Sequence, residues 1–160
     1  MRKVNDFLKY GTLPKFWLGM SFEELSAIIG GEKLGKRWYY DTTDKTAYAY
    51  FYKGIEFSFS DDKVCVINLD VDGRKRFYVE TEKGEKRIIF PNTTLYQIIE
   101  ILNQSSINWR FYPRYCFNHQ LTLLTEGNVI IQFGFSDKEG LSYIFKLHKS
   151  ELSFSPEYGA

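Results

Sequence analysis

Apolar positions along the chain follow two spacings, and each change of spacing marks a change of element. In Leu18-Gly19-Met20-Ser21-Phe22-Glu23-Glu24-Leu25-Ser26-Ala27-Ile28-Ile29-Gly30-Gly31, Leu25, Ile28 and Ile29 form one helical stripe. Ser21 and Glu24 have the spacing of a capping box, Met20 and Leu25 that of a hydrophobic staple, and Gly30-Gly31 supplies a stop. Thr94 to Asn103 follows the same plan: Thr94 and Gln97 form the box, Ile98, Ile101 and Leu102 the stripe, and Asn103 the stop. Period-two alternation marks strands elsewhere. Thr46 to Tyr52 alternates small and aromatic residues before a turn at Lys53-Gly54, and Gln120–Thr125 joins Val129–Phe135 through Glu126-Gly127-Asn128. Arg74 to Phe90 reads as a separate hairpin with arms Lys75–Glu80 and Lys86–Phe90, and Asn5 to Lys9 has room for one helical turn before Gly11. Two short helices, this turn and seven to ten strands are predicted.

One unit occurs twice. Ile55-Glu56-Phe57-Ser58-Phe59-Ser60-Asp61 returns as Ile131-Gln132-Phe133-Gly134-Phe135-Ser136-Asp137, with five of seven residue types identical. A second apolar strand follows each copy: Val64-Cys65-Val66-Ile67, then Leu141-Ser142-Tyr143-Ile144. Each copy is preceded by one of the capped helices, and Trp38 and Trp109 fall at similar places between helix and echo. Two helix-then-strands units sharing one sheet are therefore predicted. The first spans about 13–73 and the second about 91–149, with a connecting hairpin at about 74–90 and a tail at 150–160. At 160 residues the chain is one domain.

Composition narrows the function classes. Aromatic residues make up 18% of the chain, which suits a β-rich core filled by flat rings. A net charge of +1 gives no strong field for nucleic acid. Met1-Arg2-Lys3, with Asn5, Asp6 and Lys9 following, leaves no apolar stretch for a signal peptide, and no segment is long enough to cross a bilayer. A soluble cytoplasmic protein is expected. In that compartment Cys65 and Cys116 read as small buried thiols in preference to a disulfide.

Candidate chemistry is sparse. Gly30-Gly31-Glu32-Lys33-Leu34-Gly35-Lys36-Arg37 has the glycine and lysine spacing of a phosphate loop, but Arg37 stands where Ser or Thr belongs, and the run leaves a helix instead of entering one. Cys116 and His119 are an odd number apart, which puts them on opposite faces of a strand. With His148, the two Cys and two His match no zinc spacing. Glu23-Glu24, Asp61-Asp62 and Asp70/Asp72 have simpler readings as helix-start and turn residues. Trp109-Arg110-Phe111-Tyr112-Pro113-Arg114-Tyr115 interleaves cations and rings as single-stranded nucleic-acid platforms do. Glu80, Glu82 and Glu85, however, surround the basic residues of the 74–90 hairpin, which weakens a phosphate track. No catalytic residue, cofactor or metal is expected, and neither is a small-molecule substrate.

The tyrosine row of Thr46 to Tyr52 points toward a protein partner. If Ala47, Ala49 and Phe51 face the helices, Tyr48, Tyr50 and Tyr52 line the bare face of the sheet, where tyrosine suits a half-wet interface. Trp109, Arg110 and Tyr112 form a second expected patch.

The pattern L-G-M-S-x-E-E-L-x-x-I-I-G, followed by a hairpin ending I-E-F-S-F-S-D-D-K-V-x-x-I, resembles the repeat unit of the beta-lactamase inhibitor protein-like fold, which small outer-membrane assembly lipoproteins share. It also resembles bacterial cytoplasmic proteins with two such units, suspected of toxin neutralisation. Leu18 to Val71 carries the clearer copy and Thr94 to Leu147 a weaker one. The resemblance implies an α+β fold in which two helix-plus-antiparallel-strands repeats form one curved sheet, with helices on one face and a protein partner on the other. Met1 to Lys9 shows neither the secretion signal of the inhibitor nor the lipid-attachment start of the lipoproteins, so neither specific role is expected to carry over. The expected function is a non-enzymatic, immunity-type inhibitor of a toxin or enzyme. The alternative is a structural or adaptor domain, with a nucleic-acid binder or hydrolase less well supported.

Overall fold

Reciprocal caps fix where the two principal helices begin. The chain forms α1 (Asn5–Tyr10), α2 (Phe22–Ile29), α3 (Gly31–Leu34) and α4 (Leu95–Gln104) in a computed structural model that describes residues 1–135 and 140–147. At α2 the Ser21 hydroxyl accepts from the Glu24 amide at 3.2 Å, while the Glu24 carboxylate accepts from the Ser21 amide at 2.7 Å. Thr94 and Gln97 repeat the arrangement at α4, with distances of 3.2 and 2.9 Å. Each box satisfies two amides that a helix start leaves without partners. The stops differ from expectation. Gly30 ends α2 at φ 89°, but Gly31 already opens the four-residue α3. Helix α4 runs through Asn103 to Gln104, because the amides of Ser105, Ser106 and Ile107 turn back onto the carbonyls of Leu102 and Asn103.

Eleven strands occur among the described residues. Eight of them, β2 (Trp38–Tyr39), β3 (Ala47–Tyr52), β4 (Ile55–Ser60), β5 (Lys63–Leu69), β8 (Trp109–Phe111), β9 (Gln120–Thr125), β10 (Ile130–Gly134) and β11 (Gly140–Leu147), form a sheet in the order β2-β3-β4-β5-β11-β10-β9-β8. All its pairings are antiparallel. The rest form a separate sheet, β1-β6-β7, from β1 (Arg2–Lys3), β6 (Phe77–Glu80) and β7 (Lys86–Ile89), with β1 parallel to β6. One sheet therefore does not hold every strand, and β1 was not expected at all. Side chains hold it in place: Asn5 Nδ2 donates to the Glu80 carbonyl at 2.7 Å, the Glu80 amide donates back to Asn5 Oδ1 at 2.8 Å, and Lys3 pairs with Glu80 at 2.9 Å. Of the earlier expectations, Ser136, Asp137, His148 and the tail 150–160 lie outside the described residues.

One apolar cluster joins the layers. Phe7 and Leu8 of α1, Leu25 and Ile29 of α2, Leu34 of α3 and Ile98, Ile101 and Leu102 of α4 meet Phe57, Phe59, Ile67, Leu123, Ile131, Phe133 and Ile144 of the large sheet. Phe77, Val79 and Ile89 of the small sheet complete it. The staple pair Met20 and Leu25 is fully buried, as its spacing implied.

The β9–β10 turn seats against the end of α1. The Gly127 amide donates to the Leu8 carbonyl at 3.2 Å, and a Cβ at this position would lie 2.5 Å from the Gly11 nitrogen and 2.7 Å from the Leu8 oxygen. Backbone atoms cannot swing aside as a side chain can. Gly127→Ala is accordingly expected to destabilise the protein by about 1–3 kcal/mol, the usual range for overpacking, read as a lower urea midpoint. An unchanged midpoint would contradict this packing.

Candidate protein-binding face

Strand β3 settles which rings face solvent, and it reverses the expected orientation. Tyr48 is 2% exposed and Tyr50 6% exposed, while Phe51 is 47% exposed. Across β3 and β4 the pairs are Tyr52 with Ile55, Tyr50 with Phe57, and Tyr48 with Phe59. Ile55, Phe57 and Phe59 belong to the core, and directly paired residues share a face, so the tyrosines point inward with them. Tyr50 stacks on Phe22 of α2 with centroids 5.1 Å apart, and Tyr48 stacks on Phe59 at 5.0 Å. Tyr52 is half-buried against the same cluster.

Their polar ends are also engaged. Arg37 lies 4.0 Å over the Tyr48 ring and donates from Nε to the Tyr50 hydroxyl at 3.1 Å. The Tyr48 hydroxyl donates to Asp62 at 2.6 Å. Burial, followed by the Asp62 hydrogen bond, holds the Tyr48 phenol above its ordinary pKa. The hydrogen bond to Tyr50 raises the Arg37 guanidinium.

The opposite face of β2–β5 carries the open aromatic surface. Trp38 is 51% exposed, and Tyr40, just after β2, is 47% exposed. The Trp38 ring meets Tyr40 edge-on at 4.8 Å and Phe51 at 6.5 Å. Ala49 pairs with both Trp38 and Ser58 and is fully buried. Its small side chain leaves room for the Tyr40 phenol to cross β3 and reach β4. There the phenol donates to Glu56 and lies 2.6 Å from the Ser58 hydroxyl. Ser58 Oγ is 3.2 Å from the same carboxylate oxygen, and Asn68 Nδ2 donates to the other at 3.1 Å. Glu56 sits directly opposite Phe51 in the ladder. Burial, then the Glu56 hydrogen bond, raises the Tyr40 phenol above its ordinary range. The small residues of β3 thus serve a crossing side chain on the outward face, where helix approach was expected.

The second expected patch does not form one exposed surface. Trp109 packs against the main core and donates from Nε1 to Asn103 at 2.9 Å. Arg110 and Tyr112 are each 8% exposed. Arg110 lies 5.3 Å over the Tyr112 ring, and Tyr112, Leu124 and Ile130 form a second buried cluster, covered by Tyr115 of the 3-10 turn Pro113–Tyr115. That side of the sheet is closed over where the Trp38 side is open.

Other candidates are placed as well. Cys65 and Cys116 are free thiols, both half-buried. Among the described residues no group of His, Cys, Asp or Glu is arranged to hold a metal ion, and no helix is long and apolar enough to cross a membrane. A cleft of about 490 Å³ lies between β7 and α4. The Arg87 on its wall already bonds Gln104 at 2.9 Å and pairs with Glu100 at 3.6 Å. No family model matches the chain, and neither a curated protein nor a solved structure shows significant similarity to it.

Two outcomes follow from these placements. Tyr50→Ala should cost about 3–5 kcal/mol of folding stability, as for other buried rings, and Tyr50→Phe only about 1. A Tyr50→Ala protein with unchanged thermal stability would return that ring to the surface. Burial raises the Cys65 thiol, so less thiolate is present near pH 8 than in free cysteine. Iodoacetamide labelling of Cys65, followed by peptide mapping, should be slower than for free cysteine, accelerate as the pH rises, and lose the difference in urea. Equal rates in folded and unfolded protein would contradict this.

Proposed function

We propose that the chain is a non-enzymatic protein-binding module, an immunity-type inhibitor that occupies a toxin or enzyme partner through the helix-free face of β2–β5. The observation that carries the reading is the group Trp38, Tyr40 and Phe51, three large rings left about half exposed side by side. Aromatic rings clustered on a rigid sheet supply large contact area at little entropic cost, which is what binding hot spots require.

The architecture proposed behind it is two repeats closed into one curved sheet, and three features support it. The echoed strands β4 and β10 each stand third from an edge of the eight-stranded order. The strand after each echo carries one unpaired bulge residue, Cys65 in β5 and Ser142 in β11, which are counterparts in the repeated sequence. Where β5 meets β11, Asn68 pairs with Phe145, Ile67 with Lys146, and Leu69 with Ile144. With Ile67 matched to Ile144, Asn68 is matched to Phe145 and Leu69 to Lys146. This symmetric pairing of counterparts supports a local two-fold centred on Asn68 and Phe145, the self-complementary arrangement of an isologous contact.

The test is a complex with a single stoichiometric partner whose activity the chain inhibits. A Trp38→Ala, Phe51→Ala double variant is expected to weaken that complex about a hundredfold or more, on the scale of hot-spot truncations, with little change in thermal midpoint. Tyr96→Ala, on the exposed face of α4, should bind as the parent chain does. Unchanged affinity in the double variant would overturn the assignment of this face.

A further inference from the structure

Glu56 faces outward and, among the described residues, accepts from three neutral donors and pairs with no cation. The Tyr40 hydroxyl, the Ser58 hydroxyl and the Asn68 amide surround its two oxygens. Two ion pairs occur among the described residues, Lys3 with Glu80 and Arg87 with Glu100, and neither involves Glu56. A carboxylate has about four acceptor sites, so these three bonds leave one free. Phe51 stands opposite it in the ladder, and Trp38 and Tyr40 pack edge-on beside it. The half-buried carboxylate is thus oriented by its neighbours, walled by rings and, among the described residues, without a cation.

We infer that this constellation receives an arginine side chain of the partner protein, with the guanidinium donating to Glu56 and lying against Trp38 and Phe51. This rests on the docking face proposed above and names the chemistry that would occupy its centre. The guanidinium fits better than other cations. It is planar, donates along its edge, stacks on aromatic faces and loses less hydration than an ammonium group on leaving water. A charge-assisted bond to the carboxylate is also about twice as strong as the neutral ones already present. The nearby loop adds to the attraction, since Asp41 and Asp44 are exposed carboxylates whose pKa values local hydrogen bonds lower, keeping them ionised. Tyr40 has a positioning part: its phenol fixes the carboxylate and forms one wall.

The experiment titrates the isotope-labelled full chain with N-acetylarginine amide, followed at the Trp38 indole N–H by NMR, with N-acetylcitrulline amide as the neutral isostere. Arginine amide should shift the resonance saturably and bind about fivefold or more tightly than citrulline amide, the difference expected when a charged hydrogen bond replaces a neutral one. Glu56→Gln should reduce arginine amide to the citrulline level, while Glu100→Gln, on α4, should leave it unchanged. Phe51→Ala, which leaves every Glu56 hydrogen bond intact, should weaken arginine amide about two- to fivefold, the range of an exposed cation–π contact. This variant keeps the test decisive if Glu56→Gln fails to fold. Equal binding of arginine and citrulline amides, or no effect of either Glu56→Gln or Phe51→Ala, overturns the inference. N-acetyltryptophan amide separates it from the broader reading. A response to tryptophan amide without preference for arginine would retain the docking face and reject its cationic occupant; silence toward both would reject both.

Discussion

The antiparallel ladder between β5 and β11 is the contact on which the rest of the molecule depends. Val66 to Leu69 pair with Leu147 to Ile144, joining four strands from the first half of the chain to four from the second. Without it β5, seven residues long, would present an open row of amides and carbonyls, the kind of edge that invites aggregation. With it, the strands left at the margins of the large sheet are β2 and β8, of two and three residues. Short margins are one of the ordinary ways in which sheets avoid pairing with other chains.

Continuity of the sheet also sets the phase of its side chains. Ile55, Phe57 and Phe59 anchor one face in the core, and the two-residue turn at Lys53-Gly54 carries that phase into β3. Tyr48 and Tyr50 become packing residues as a result, and Trp38, Phe51 and Glu56 are left on the other side. The two halves then diverge. Near β8 and β9 the outward residues Tyr112, Leu124 and Ile130 form a small core of their own under Tyr115. Near β2 and β3 a crossing tyrosine and a bonded carboxylate keep the surface polar at its centre and aromatic at its rim. The outward face of the large sheet is thus closed over near β8 and β9 and open near β2 and β3.

Much of the fold was legible in the residues. Both capping boxes, the Asn5 helix with its Gly11 stop, the 74–90 hairpin and, among the described residues, the strands that carry the echo stand where spacing placed them. Strand β1 was not legible, because two residues show no periodicity and its partner Phe77 lies far along the chain. Helix α3 was hidden by Gly30-Gly31, which reads as a stop although only Gly30 acts as one. The tyrosine row faces the core, against what its spacing suggests. Ala47 and Ala49 suggested close helix approach, whereas the register counted outward from Lys53-Gly54 already coupled each tyrosine to a core residue of the next strand. Glu56 carried no signal of its own: as one polar residue in an alternating strand it matches any solvent-facing position, and only the crossing of Tyr40 distinguishes it.

Amide hydrogen exchange along β5 tests the join most directly. In an antiparallel sheet successive amides of a strand point alternately to its two neighbours, so an interior β5 has every amide from Val66 to Leu69 in a ladder, toward β4 or toward β11. Slow exchange is expected at all four positions, comparable to the core of β4. Alternate amides exchanging at the rate of exposed loops, with the others protected, would show that β5 is an edge and that no continuous sheet unites the two halves.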